Sequence, residues 1–255
     1  MWLARVRGFL WVSALLAGLM AAPVRAQDDQ ASNFSPAEED AIRQLVRDYL
    51  LTNPEVLMEA AQIYRERQQE LQQKQASQTL VMRREELDRD PDSPVIGNPD
   101  GDVVVVEFFD YRCPYCVRVA EDLREVVEDD GNIRLVMKEF PILGPESMVA
   151  ARMALAAEKQ GKYEELHFAM MTVSGKLTED KAFKIAEKID LDMDQLRRDM
   201  EAPEIDAMLQ RNFALAQALQ INGTPAFVIG GEVVRGAIDM TTLREIVGQA
   251  RANSS

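Results

Sequence analysis

Thiols and imidazoles are scarce in this chain, which holds two cysteines and one histidine in 255 residues. A structural zinc site takes about four such ligands, and Cys113 and Cys116 have only the distant His167 to add, so no metal site is expected. Positive charge is the second shortage: 29 lysines and arginines face 43 acids, for a formal net charge of -14. Nucleic acid and anionic membranes both require a basic face, and neither is expected as a partner. Long apolar runs are the third. One stretch, from about Phe9 to Ala22, is apolar enough to enter a membrane, and no second follows.

That stretch reads as a leader. Arg5 and Arg7 precede it, Val24-Arg-Ala26 offers the small residues of a cleavage site, and polar Gln27-Asp-Asp-Gln30 comes next. Residues 1–26 are therefore expected to be a secretory signal. A membrane anchor would need a longer core. Removal of Arg5, Arg7 and Arg25 with no acid moves the formal charge from -14 to -17. The mature protein is expected to be soluble and exported, to the periplasm or an equivalent space where disulfides form and persist.

The stretch that organises the rest is Val103-Val-Val-Val-Glu-Phe-Phe-Asp-Tyr-Arg-Cys-Pro-Tyr-Cys116. It predicts a buried strand, a short loop and a helix opening on two cysteines three positions apart, the setting of a thiol–disulfide redox pair. Unpaired N–H groups and the helix dipole at that start favour a thiolate at Cys113, the exposed sulfur, while Cys116 lies about one turn further in. Pro114 suits the first turn. A purely structural disulfide closing so small a loop would constrain the unfolded chain very little. Glu107 interrupts a run expected to be buried on both faces, where a carboxylate needs a partner or a task; escape to solvent at the strand end is the other reading.

Ahead of this lie two helical segments. Ser35-Pro-Ala-Glu38 has the form of a capping box, followed by Ile42, Leu45, Val46, Tyr49 and Leu50 at helical spacing. Thr52-Asn-Pro-Glu55 stops that helix and starts another, from Pro54 to about Leu87, with Val56, Leu57, Ile63, Tyr64 and Leu71 on one stripe. So short a helical pair buries too little surface to fold alone. Residues 35–90 are expected to pack on the same segment of other chains, which makes the protein a homo-oligomer. Packing on their own catalytic domain is the alternative, set against the polar stretch from Arg65 to Gln78. The turn clusters Asp90-Pro-Asp-Ser-Pro94 and Gly97-Asn-Pro-Asp-Gly101 mark the boundary. The expected organisation is thus a signal at 1–26, an N-terminal helical oligomerisation segment and linker at 27–91, and a catalytic domain at 92–255.

After Cys116 the pattern predicts a helix to about Val127, a parallel strand Ile133–Phe140, and helices around 148–157, 163–171, 181–189 and 205–219. A hairpin Ala226–Ile229 and Glu232–Arg235 turns at Gly230-Gly231, and a helix covers about 241–250. His167 and the methionines of the helical region are expected to be structural.

Three blocks in this order, Glu107-Phe-Phe-Asp-Tyr-Arg-Cys-Pro-Tyr-Cys116, Lys138-Glu-Phe-Pro-Ile-Leu-Gly144 and Asn222-Gly-Thr-Pro-Ala-Phe227, resemble the DsbA-like branch of the thioredoxin superfamily over about residues 95–250. With its added N-terminal helices the chain looks most like the suppressor-of-copper-sensitivity protein C group. The resemblance implies an α/β thioredoxin-like fold with a helical insertion at about 141–222. It implies catalytic roles for Cys113, Cys116, Glu107 as the acid exchanging a proton with Cys116, and a cis Pro225. It places Pro114, Tyr115 and Thr224 at the substrate, Thr224 being more like the isomerases than the valine of DsbA. Lys138 resembles the basic partner of the acid, or else lies on an exposed strand face. Arg112 and Arg118 either help hold the thiolate or are surface charges.

The function so implied is exchange with protein disulfides, by an oligomeric isomerase or reductant, with a membrane-bound thiol–disulfide protein as redox partner. No organic cofactor is needed for thiol exchange. A monomeric DsbA-like dithiol oxidase is the alternative within the class. A copper-sequestering module using the two thiolates is the alternative outside it, since soft sulfur suits Cu(I). Glutaredoxins share Cys-Pro-Tyr-Cys but are short and cytosolic.

Overall fold

The computed structural model describes residues 34–254, so the expected signal at 1–26 lies outside the described residues. The chain divides into two compact units, Met1–Gln62 and Ile63–Ser255. In the first, helix α1 (Pro36–Thr52) opens on the expected capping box: Ser35 Oγ accepts from the Glu38 N–H and Glu38 Oε2 accepts from the Ser35 N–H. Among the described residues α1 buries no side chain, and Leu45 stays 70% exposed and Tyr49 57%. Helix α2 (Glu55–Met82) follows, carrying Leu57 exposed in the first unit and Leu80 buried in the second.

The second unit is built on one sheet. In chain order its elements are α3 (Arg84–Asp88), β1 (Val95–Gly97), β2 (Val103–Phe109), α4 (Pro114–Asp130) and β3 (Ile133–Glu139). Five helices follow: α5 (Pro145–Glu158), α6 (Tyr163–Met171), α7 (Glu179–Lys188), α8 (Met193–Met200) and α9 (Pro203–Ala218). Hairpin β4 (Ala226–Ile229) and β5 (Glu232–Arg235) and helix α10 (Met240–Ser254) close the unit. Strand order is β1-β3-β2-β4-β5, with β2 and β3 parallel as expected and the other pairs antiparallel. Two elements escape the sequence pattern. Strand β1 is three residues between turn clusters, and α8 buries only Leu196 and Met200 in a charged segment.

Strand alternation sorts β2 into two cores. Val105 and Phe109, on one face with Glu107, pack with Cys113 and Cys116, with Leu123 and Val127 of α4 and with the inserted helices. Val106 and Phe108, on the other, pack with Leu215 and Leu219, and also with Leu80 and Leu87. The compact unit therefore starts well ahead of the turn cluster at residue 90, because these two leucines belong to its core.

Lys138 corrects both sequence readings. It is paired in register with Phe108, and Glu107 with Met137, so lysine and acid point to opposite faces. It is not exposed either, at 1%. Its Nζ donates to the Glu86 carbonyl at 2.8 Å, to Ser93 Oγ at 2.8 Å and to Asp90 Oδ2 at 3.0 Å. Burial pulls the Asp90 carboxyl up, but the Lys138 charge and hydrogen bonds outweigh it and hold the group below its ordinary range. A depressed acid gives stability that is present above its unfolded value and lost as pH falls through the folded one. Asp90→Ala leaves the ammonium buried and unpaired. A loss of about 3 kcal/mol in urea denaturation at neutral pH is expected; an unchanged midpoint would show the pair to be idle.

Candidate redox site

The β2–α4 junction builds the site. Cys113 is the residue before α4, with extended backbone (φ -77°, ψ 116°), and Pro114 begins the helix. Cys116 lies in its first turn, and both cysteines are reduced. The expectation of an exposed Cys113 needs correction: it is 4% exposed and Cys116 not at all. A narrow window still separates the two. The approach to Cys113 is shaped by the Thr224-Pro225 loop, whose peptide bond is cis, as the resemblance implies. Cys113 Sγ lies 3.2 Å from the Thr224 carbonyl oxygen, which accepts from the thiol. Thr224 is half-buried and Pro225 buried, while Pro114 and Tyr115 stand exposed at the surface.

The two sulfurs are set apart electrostatically. The hydrogen bond from Cys116 brings the Cys113 thiol down to about 5, with help from the N–H groups of Cys116 and Tyr115 and against partial burial. Burial, the hydrogen bond to Cys113 and the charge of Glu107 push Cys116 far up. At neutral pH one sulfur is a nucleophile and its neighbour a proton donor to it. The arginines take no leading part. Arg112 Nη1 donates to Glu146 Oε2 at 2.7 Å and to the Leu143 carbonyl at 3.1 Å, and Arg118 covers the Tyr115 ring at 5.0 Å.

Glu107 sits mid-strand between Met137 of β3 and Phe227 of β4, 2% exposed, so escape to solvent is ruled out. Burial first, and the Cys113 charge second, raise its carboxyl to about 8. The group is mostly protonated at pH 7 and can give or take a proton within the working range.

Four residues given no role by the sequence, Asp110, Tyr111, Glu139 and Tyr163, complete the floor. Asp110, 1% exposed, splits its carboxylate: Oδ1 accepts from the Arg112 N–H at 2.7 Å, and Oδ2 from the Ile142 and Leu143 N–H groups at 2.8 and 3.0 Å. It ties the cysteine loop to the loop after β3. Behind it Tyr111 and Tyr163 both donate to Glu139 Oε1, at 3.0 and 2.9 Å, and the Tyr111 hydroxyl meets His167 Nδ1 at 3.0 Å. Burial drives the Glu139 carboxyl well above its ordinary range and brings His167 down to about 3, so the imidazole is neutral at pH 7. His167 is structural, as expected. The available signal was Glu139 itself, a second acid ending a strand buried on both faces, and Asp110 at the start of a turn.

Glu107→Gln tests the acid's role. A carboxyl raised on folding makes stability fall as pH rises from its unfolded value of 4.5 to its folded value of about 8. Glutamine should abolish that slope in reduced protein. It should also slow release of a disulfide-linked substrate from Cys113 about a hundredfold, the range of a lost general base. Identical release rates and pH profiles would remove Glu107 from the chemistry.

Comparison with known proteins bears on the family and the fold. Residues 104–248 match the DSBA-like thioredoxin domain, and residues 38–70 match the copper resistance protein ScsC N-terminal domain. A thioredoxin-like oxidoreductase from Silicibacter pomeroyi is 51% identical, with 66% of this chain and 98% of that one covered and a TM-score of 0.65. ScsC of Proteus mirabilis, in a structure described as a transitional conformation, is 30% identical over 86% of this chain and 100% of its own, with a TM-score of 0.63. Among curated relatives, the Na(+)/H(+) antiporter NhaA 1 of Salinispora arenicola is 31% identical over 168 residues, 65% of this chain. The chain spans about a quarter of that protein's length, 26%. No helix among the described residues is long and apolar enough to cross a membrane. The chain belongs to the DSBA-like thioredoxin domain family, with a ScsC-type N-terminal domain ahead of the thioredoxin fold.

Proposed function

We propose that this protein is an exported thiol–disulfide oxidoreductase acting on protein disulfides, and that residues 27–91 include the segment that assembles it into an oligomeric isomerase or reductant. The observation that carries the reading is the unequal cysteine pair: Cys113 lowered to about 5 beside a buried Cys116 pushed far up, over the protonatable Glu107. The Cys113 thiolate attacks a substrate disulfide. One substrate sulfur becomes bonded to Cys113 and the other leaves as a thiolate that takes up a proton. Loss of the Cys113 charge in this mixed disulfide removes one of the two causes that raise Glu107, so a larger fraction of it is ionised. That carboxylate takes the Cys116 proton, and Cys116 attacks Cys113, forming the internal disulfide and releasing the second substrate sulfur. Pro225 shapes the groove, and Pro114, Tyr115 and Thr224 contact the substrate.

The low Cys113 value stabilises the reduced form, a property that isomerase and oxidase share, so the N-terminal segment carries the choice between them. Exposed Leu45, Tyr49 and Leu57 supply the apolar surface for assembly. Refolding of a scrambled disulfide protein by the reduced full mature chain tests this. Recovery of native disulfides supports isomerisation. Oxidation of a reduced substrate without such recovery favours the monomeric oxidase, and copper retention without turnover favours sequestration. A membrane-bound thiol–disulfide protein would reset the pair.

A further inference from the structure

Strand β5 is a sheet edge, paired only with β4. The hairpin turns on Gly230 and Gly231, both at positive φ (58° and 84°), the two-residue turn whose mirror-type twist fits paired strands. In such a hairpin the closing pair, Ile229 and Glu232, exchanges ladder hydrogen bonds and the next pair does not. The Gly236 N–H to Pro225 carbonyl bond of 2.9 Å keeps the same phase. The backbone N–H and C=O groups of Val233 and Arg235 therefore point away from β4. Among the described residues neither makes a backbone hydrogen bond to another segment.

They do not face open solvent. Residues Gln69, Gln72, Gln73 and Ala76 lie on one stripe of α2 and form the opposite wall of a groove of about 740 Å³ along β5. Leu80, packed in the same core as Val228 and Val233, closes its base. Carboxamides both donate and accept, so the α2 wall complements a backbone edge or polar side chains. Glu232 and Arg235 are the charged groups lining the groove and offset each other, which disfavours nucleic acid or a strongly charged ligand. An extended polypeptide meets all three conditions: it pairs with two outward residues at strand spacing, offers its far edge to amides, and needs no net charge.

Building on the thiol–disulfide reading above, we propose that the groove between β5 and α2 holds an extended stretch of the protein substrate as a sixth strand. Its position suits that task. Arg235 pairs with Ala226, the residue after cis Pro225, so the groove ends beside the loop that touches Cys113. An added strand lies about 10 Å from β4, and a few residues at about 3.3 Å each carry the chain to the sulfur. The site engages the substrate apart from its cysteine.

The test uses the full mature chain and a fluorescent, cysteine-free peptide of alternating threonine and valine with lysine at each end. Saturable binding is expected. Val233→Pro removes an outward N–H at an edge position where sheets tolerate proline, and Ser77→Trp fills the groove from α2 without touching the strand. Each should weaken the peptide about tenfold while exchange with glutathione disulfide stays unchanged. No saturable binding to the wild type, or equal affinity in both variants, overturns the proposal. A change of oligomer mass in Val233→Pro with peptide binding intact also overturns it, by placing a second copy on the edge. Wild type that fails to exchange with glutathione disulfide defeats the thiol–disulfide reading instead, whatever the peptide does.

Discussion

Cys113→Ser is expected to abolish thiol–disulfide exchange, and Cys116→Ser to retain attack but accumulate mixed disulfides with substrate. The asymmetry follows from the environment of each sulfur. Cys113, lowered to about 5, is about 99% thiolate at pH 7, whereas Cys116 is held as a thiol by burial and by donating to Cys113. Serine at 113 removes the nucleophile; serine at 116 removes only the group that resolves the adduct. Iodoacetamide should accordingly react at Cys113 at least about a hundredfold faster than at Cys116. The rate at Cys113 should rise with pH through a midpoint near 5 and then level off. The same shift has a stability consequence, since a thiol lowered on folding stabilises the reduced protein above its unfolded value of 9.0 and loses that contribution as pH falls through about 5. Reduced protein should melt above oxidised protein at pH 7, and the gap should narrow toward pH 4. Equal alkylation rates at the two cysteines would end the assignment.

Local pattern made most of this legible, and long-range packing hid the rest. The apolar run before Cys113, the capping box at Ser35 and the Gly230-Gly231 turn are local statements, and each element formed where it was expected. Lys138 was misread in both ways because its fate depends on strand register. One residue of slip would turn it toward Glu107, and its true partners, Asp90, Ser93 and the Glu86 carbonyl, lie in a segment that reads as linker. Leu80 and Leu87 were hidden for a related reason. Two leucines behind a Gln-rich stretch carry too weak a helical stripe to announce that they complete a core. Burial of Cys113 was illegible as well, since the covering Thr224-Pro225 loop is far away in sequence. Glu107 could be singled out because an acid inside an apolar strand demands a partner or a task. Glu139, closing the next strand, drew no such notice, although both tyrosines that satisfy it were in view.

Those hidden contacts decide how the N-terminal segment can be removed. A form lacking residues 27–91 should fail to fold, because it loses Leu80 and Leu87 from the core and the carboxylate that pairs with buried Lys138. The leucines contribute about 2 kcal/mol each and the broken pair about 3 kcal/mol more, comparable to the whole stability of an ordinary domain. A form lacking residues 27–62 keeps all of these, and Ile63–Ser255 is the compact unit. It should be a folded monomer with Cys113 as reactive as in the full mature chain. What it gives up is the surface of Leu45, Tyr49 and Leu57, exposed in the single chain and available to other copies. The proposed assembly through that surface would hold several redox sites near one misfolded substrate and would hinder the enzyme that reoxidises a lone domain. The shortened form should therefore lose refolding of scrambled disulfides and gain oxidation of reduced substrates. Polar substitutions at Leu45, Leu50 and Leu57 in the full-length mature chain should do the same without altering the fold. Sedimentation of that chain as a monomer at micromolar concentration would overturn the assembly argument and put the monomeric oxidase in its place.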